Sequence, residues 1–446
     1  MPEQKQLKNG IRVVYEQVPA TRSVSIGIWI GAGSLHEYAE INGITHFIEH
    51  MLFKGTATRS AKQIAVEMDS IGGSINAFTA KECTCYYAKV LDEHLGTAVD
   101  LLCDIVLHSE LNPAELEREK GVICEEIYMT EDSPEDLVFE MGAALFFADT
   151  TLERPILGTE ETVQRLRRED LIGYMRTHYT NDNIVVACAG SFDPAQLFEL
   201  LETRLTVESE VALRNPQPYA IKPGFRTAFA QKDIEQIHTC ISFPAFALET
   251  EEYYALCVLS NILGGSMSSR LFQKIREEKG LAYSVYTYPM AYCGVGALCV
   301  YAGSGEKQAK EVLRLMLAEF SDIVENGVTE EEFIRCKEQL KGSYLLGLES
   351  AGSKMNAIGK TLLLQNKLYS QEKTLSSIET VKIHDIFRII PQVFGANTMT
   401  CAAVGRVGKL QKPMEKMLAD WWETYGQTGA DLSNAGRAER GTCAQA

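Results

Sequence analysis

From Val24 to Ile30, apolar side chains alternate with Ser25 and Gly27, a period of two that predicts a β-strand with a buried face. Gly31-Ala32-Gly33 turns the chain. From about Asn42 to Lys54 the apolar positions take up helical spacing, and Gly55 ends the run. A second helix is predicted from Ser60 to near Gly72-Gly73, then strands over Ser74–Thr79 and Thr84–Val90, then helices over 92–108 and 112–130. The stretch Val207–Gly224, with Pro216, Pro218 and Pro223, reads as a linker. Beyond it the order recurs: a strand at Thr239–Phe243, a helix at Glu251–Leu263, Gly264-Gly265, and a further helix to Lys279. Strands over 281–288 and 296–302 and helices from Lys307 and Glu330 follow. The offset between the two series is roughly 210 residues. The expected fold class is α+β: two similar domains, 1–206 and 225–430, each an antiparallel sheet packed with helices. Residues 431–446 have the composition of a disordered tail.

The 446 residues suit two domains of about 200 residues each. With 46% hydrophobic and 23% charged residues, the composition is that of a soluble globular protein. No apolar run approaches the roughly 18 residues that a membrane span requires. The opening MPEQKQLKNG has neither a signal-peptide core nor a transit-peptide bias, so a cytoplasmic location is expected. A net charge of −17 argues against nucleic acid as a partner; it is compatible with a preference for basic peptides, but solubility is the favoured explanation. The 12 cysteines are scattered in apolar surroundings, as buried thiols in a reducing compartment would be. Cys83 and Cys85 fall on one face of a strand without a second pair nearby, which does not suit a metal site.

The helix around His46 carries the chemistry. Ile44, Phe47, Ile48, Met51, Leu52 and Phe53 cover most of its circumference, leaving His46, Glu49 and His50 as its polar face. His46 and His50 stand at i and i+4, so their rings stack on one side. Burying two imidazoles and a carboxylate without partners costs several kcal/mol. A zinc ion, which neutral imidazoles bind at about 2.0–2.1 Å, removes that cost. A third ligand is then needed. Asn112-Pro113-Ala114-Glu115 opens a helix with a cap, a first-turn proline and an acidic third position. Its core stripe is predicted as Leu116, Glu119, Val122, Ile123, Glu126 and Ile127, and Glu125 points away by about 100°. Glu126 is the expected third ligand, and Glu119 the acceptor that orients a ligand histidine. A His-His-Glu set leaves the fourth position to water, and Glu49 is placed to act as general base. One Zn2+ per chain is expected.

The run Gly43-Ile44-Thr45-His46-Phe47-Ile48-Glu49-His50-Met51-Leu52-Phe53-Lys54-Gly55-Thr56, after Gly31-Ala32-Gly33-Ser34, resembles the pitrilysin/insulinase family of inverzincin peptidases, closest in size to its short, processing-peptidase-like branch. Glu126 stands 76 residues after His50, where the resemblance places the third ligand, and the family's auxiliary glutamate falls on Glu119. By the same resemblance, Asn76, Ala77 and Phe78 lie on an edge strand that pairs with substrate backbone. Arg270 to Tyr283 is similar to the family's R-L-x(4)-R-E…G-L-x-Y signature, which implies that Arg276 and Tyr283 hold substrate. The resemblance implies a zinc endopeptidase acting on small unstructured peptides or presequence-like segments. The family's long members set zinc in the first domain and the Arg/Tyr pair in the fourth. A two-domain chain is therefore expected to form a homodimer with Arg276 and Tyr283 contributed across the interface. The rival readings are a non-catalytic assembly or regulatory subunit of the same fold, which predicts losses in the zinc motif, and a thiol-based redox or metal-storage protein, which predicts clustered cysteines.

Overall fold

The computed structural model describes residues 1–207, 220–248 and 250–427. Most of the expected linker (208–219) and all of the expected tail (431–446) lie outside them. The chain forms two compact units. The first is drawn from Met1–Met129, Arg154–Gln217 and Tyr344–Gln371, the second from Thr130–Glu153, Pro218–Ser343 and Glu372–Ala446.

In the first unit the strands are β1 (Glu3–Gln6), β2 (Arg12–Gln17), β3 (Ser23–Ile30), β4 (Ser74–Thr79), β5 (Thr84–Leu91) and β6 (Ile184–Gly190), in the sheet order β1-β2-β6-β3-β5-β4. Helices α1 (Ile44–Leu52), α2 (Ala61–Ser70), α3 (Leu95–His108), α4 (Pro113–Asp132), α5 (Pro134–Phe146), α6 (Glu160–Arg165), α7 (Arg168–His178) and α8 (Pro194–Arg204) intervene along the chain. All but α5 send apolar side chains into one core under the sheet, among them Ile28 and Tyr86 from the strands and Phe47, Met51 and Leu102 from the helices.

The second series contains β7 (Gly224–Gln231), β8 (Gln236–Ala245), α9 (Glu252–Ser260), β9 (Ala282–Tyr292), β10 (Val295–Gly305), α10 (Ala309–Asn326), α11 (Glu330–Gly347), α12 (Ala351–Gln365), α13 (Gln371–Thr380), α14 (Ile383–Phe394), β11 (Thr398–Gly405) and α15 (Gln411–Tyr425). Its sheet order, β7-β11-β8-β10-β9, repeats β2-β6-β3-β5-β4 strand for strand. The predicted recurrence of elements is therefore a recurrence of topology.

Two features go beyond the sequence pattern. Each sheet is antiparallel except for one parallel pair, β2 with β6 and β7 with β11. A parallel neighbour requires a long crossover, and strand alternation carries no information on direction. Each unit also takes a helix from the other half of the sequence: α5 packs on β11 and β8, and α12 packs on β6 and β3. α12 covers the face of the first sheet opposite the main core, where Met355, Ile358 and Leu362 meet Val14, Trp29, Cys83, Cys85 and Val185. Gly359 permits that approach, since a Cβ there would lie 2.4 Å from Trp29 Nε1. Cys83 and Cys85 sit in this apolar layer, and burial pushes both thiols up, Cys83 to about 12.

Among the described residues, no helix is long and apolar enough to cross a membrane.

Candidate metal centre

Helix α1 is anchored before it begins. Gly43 adopts φ +94°, and a Cβ there would come within 2.6 Å of Leu157 O, so only glycine fits. The buried Glu37 carboxylate accepts from Asn42 Nδ2 at 2.7 Å, Gly43 N at 2.8 Å and Thr45 N at 2.9 Å. It thereby satisfies amides that the first turn leaves free, at the end where the helix dipole favours an anion. Burial nevertheless raises its pKa, against these donors. Ile44, Phe47, Ile48, Met51 and Leu52 are fully buried, as the apolar distribution predicts. Truncating such a side chain as Phe47 to alanine costs about 3–5 kcal/mol, so the helix is fixed in rotation as well as position.

Helix α4 supplies the opposite wall. Asn112 Oδ1 accepts from Ala114 N at 2.9 Å at its start, and Pro113 occupies the first turn. Glu119 and Glu126 are seven residues apart and share a face. Glu119 is buried, Glu126 is partly open and Glu125 is exposed. The predicted stripe needs one correction: Val122 is 49% exposed, and Lys120 and Cys124 are buried in the same helix. At about 100° per residue, the buried arc runs from Glu119 round to Cys124, and Val122 falls about 60° outside its Glu119 edge, so hydrophobicity alone does not hold it inside.

These elements bring His46, His50 and Glu126 together, with one donor atom from each lying within 4.8 Å of the others. Glu126 Oε2 is 3.6 Å from His46 Nε2 and 3.4 Å from His50 Nε2. Both separations exceed a good hydrogen bond. They match the spacing of about 3.3–3.4 Å between two ligands of a tetrahedral ion at about 2.0–2.1 Å. The donor set thus fits zinc. The other ring nitrogen of His50, Nδ1, meets Glu119 Oε1 at 2.9 Å, and Lys54 Nζ holds Glu119 Oε2 at 2.7 Å. Among the described residues, His46 Nδ1 is buried with no hydrogen-bond partner.

The electrostatics are those of a cation site. Burial, reinforced by the neighbouring His50, lowers His46 to about 4. Burial also opposes a charged His50, but its hydrogen bond to Glu119 and the facing Glu126 carboxylate outweigh this and raise it to about 9. Burial disfavours ionised Glu119, yet His50 and Lys54 lower its pKa overall. The facing His50 ring, against burial acting the other way, leaves Glu126 lowered. Glu49 differs from both. Burial raises its pKa, and its only hydrogen-bond partner among the described residues is the Thr79 hydroxyl, which opposes that rise.

The remaining predicted residues lie elsewhere. Asn76, Ala77 and Phe78 are on β4, the edge strand of the first sheet, paired on one side only among the described residues. Phe78 packs edge-on against Trp29 with centroids 5.6 Å apart, and Asn76 Oδ1 accepts from Ala77 N at 2.8 Å. Arg276 and Tyr283 belong to the second unit. Residues Phe272–Glu277, expected as a regular helix, form a wide π-helical turn. Arg276 Nη1 donates to Tyr283 O at 3.0 Å, and its guanidinium lies 4.5 Å from the Tyr283 ring centroid and 4.8 Å from that of Phe272. Both residues border an open pocket of about 310 Å³ with Gln236, Leu281 and Ser304.

Three residues that touch this machinery escape the sequence reading. Lys54 had a signal, standing four residues after His50, although it lies just past the end of α1. Glu37 and Thr79 had none, because their contacts depend on how distant segments pack. Glu126→Gln is expected to lower zinc content after dialysis against a weak chelator, whereas Glu125→Gln should leave it unchanged. Zinc loss from Glu125→Gln would mean that the helical phase is misassigned.

Two histidines and a glutamate at tetrahedral spacing, set on two helices of a repeated α+β fold, define a zinc-type centre. The pattern of the insulinase family, peptidase family M16, matches residues 12–160, and that of the peptidase M16 inactive domain matches residues 165–340. An uncharacterized zinc protease of Bacillus subtilis is 43% identical over 389 residues, covering 87% of this chain and 94% of its own length. One from Streptomyces coelicolor is 41% identical, with 87% and 86% covered. A protease from Helicobacter pylori shares the fold, with a TM-score of 0.84 at 22% identity over 91% of this chain and 99% of that one. The chain belongs to the insulinase family, peptidase family M16, and its cofactor is zinc. At the level of the family it is a metallopeptidase.

Proposed function

We propose that this chain is a cytoplasmic zinc endopeptidase that cleaves small unstructured peptides or presequence-like segments, working as a homodimer. The observation that carries the reading is the contrast among four side chains: His46 and His50 of α1 and Glu126 of α4 converge on a single point, while Glu49 stands beside the histidines on α1 and outside that set. His46, His50 and Glu126 would hold zinc, with Glu119 and Lys54 fixing the His50 ring. When bound, zinc supplies a Lewis acid that polarises the scissile carbonyl and activates water. Glu49 takes the proton from the attacking water and delivers it to the departing amine, and a carboxylate whose pKa is raised by burial suits that exchange. The free edge of β4 at Asn76, Ala77 and Phe78 offers main-chain pairing that is indifferent to sequence, in keeping with unstructured substrates. Arg276 and Tyr283, braced against each other, would grip substrate bound at the zinc of the partner chain. The inactive-domain description applies to residues 165–340, and none of the five residues His46, Glu49, His50, Glu119 and Glu126 lies there.

The test combines metal analysis with cleavage of a quenched-fluorescent peptide library. About one zinc per chain is expected, with activity lost to a chelator and restored by zinc. Full activity in metal-free protein would overturn the reading.

A further inference from the structure

Thr79 ends β4, and nothing in the motif pattern assigns it a role. Its hydroxyl donates to Glu49 Oε2 at 2.5 Å. That contact joins two elements 30 residues apart: the helix that bears the histidines and the edge strand. β4 alternates so that Ala77 and Thr79 face α1, while Phe78 turns to Trp29. The backbone beneath Thr79 is well supported. Thr79 pairs with Thr84, Ala80 N donates to Cys83 O at 2.8 Å, and Thr84 Oγ1 donates to Ala32 O at 2.9 Å. The hydroxyl is therefore presented from a rigid frame, which is what a second residue must supply if it is to orient a first.

The consequence for Glu49 follows from its inventory of partners. A carboxylate has two oxygens, and the torsion that carries them has a broad, shallow profile. No other protein donor reaches Glu49 among the described residues. Fixing Oε2 sets the plane of the group and leaves Oε1 free for a proton. We infer that Thr79 is the positioning residue of the proposed base: it holds Glu49 in the orientation that proton transfer needs and ties it to the strand on which the peptide would lie. This rests on the reading of Glu49 as base.

Four single variants, Thr79→Val, Thr79→Ala, Thr79→Ser and Glu49→Gln, and the double variant Glu49→Gln/Thr79→Val test it, each assayed for zinc content, kcat and KM on a peptide substrate. Thr79→Val and Thr79→Ala are expected to retain zinc and to lower kcat by about tenfold or more, the range lost when a positioned proton carrier is misaligned, with KM changed less than about twofold. Thr79→Ser keeps the hydroxyl and should recover most of kcat. In a Glu49→Gln background, Thr79→Val should cost almost nothing further, because the two residues act as one unit. Wild-type kcat in both hydroxyl-free variants, or a serine variant as poor as the valine one, would overturn the inference. So would zinc loss or unfolding in both hydroxyl-free variants, since the hydroxyl would then support the fold. Glu49→Gln separates the two levels of the argument. If it is active, the base assignment itself fails. If it is inactive while Thr79→Val and Thr79→Ala are normal, only the role of Thr79 fails.

Discussion

Glu49→Gln is expected to keep its zinc and its affinity for peptide while turnover falls by at least about 10²-fold. The amide is nearly isosteric with the carboxylate, so the packing of α1 is undisturbed. Glu49 contributes no atom to the group formed by His46, His50 and Glu126. What the substitution removes is the ability to accept a proton. Metal analysis of the purified variant, with peptide binding measured by fluorescence anisotropy, checks the first part, and steady-state cleavage checks the second. Zinc loss would show that Glu49 has been given the wrong role. Activity near wild type would show the same.

The features that could be read from sequence are those that depend on local periodicity. His46, Glu49 and His50 share a helix, and Glu119 and Glu126 share another, so their relative directions follow from the helical repeat. The two helices had to meet because both sets of polar groups are surrounded by apolar side chains that cannot remain exposed. The same reasoning recovers β3, β4 and β5 within a residue or two, and the recurrence of the whole series after the linker. Long-range packing was not legible. The parallel pairing of β2 with β6 joins strands about 170 residues apart, and nothing in either strand's alternation indicates its direction. The transfer of α5 and α12 to the opposite sheets is likewise invisible, because an amphipathic helix records that it has a buried face and not which surface buries it. Thr79 and Glu37 belong to this second category. Val122 shows the converse limit: an apolar residue at a plausible position is left at the surface, where a single exposed valine is tolerated.

The architecture of the working site leads to an expectation that no single variant can meet. Arg276 and Tyr283 lie in the second unit and the zinc ligands in the first. If two copies of the chain complete one another, Arg276 and Tyr283 act on the zinc of the partner subunit. Glu49→Gln and Arg276→Ala should then each be inactive alone, the first for want of a base and the second for want of a substrate contact. Mixed under conditions that exchange subunits, they form heterodimers in which one site carries an intact Glu49 from one chain and an intact Arg276 from the other. The second site of that dimer carries both defects. With equal amounts and random exchange, half of the dimers are mixed and each has one working site of two, so about one quarter of wild-type activity should reappear. Exchange is verified independently by mass spectrometry of differently tagged chains. If exchange is complete and both parents are silent, continued silence of the mixture would show that each chain completes its own site. Recovery would place Arg276 across a symmetric interface, and the same mixture prepared with Tyr283→Phe in place of Arg276→Ala would ask whether the Tyr283 hydroxyl travels with it.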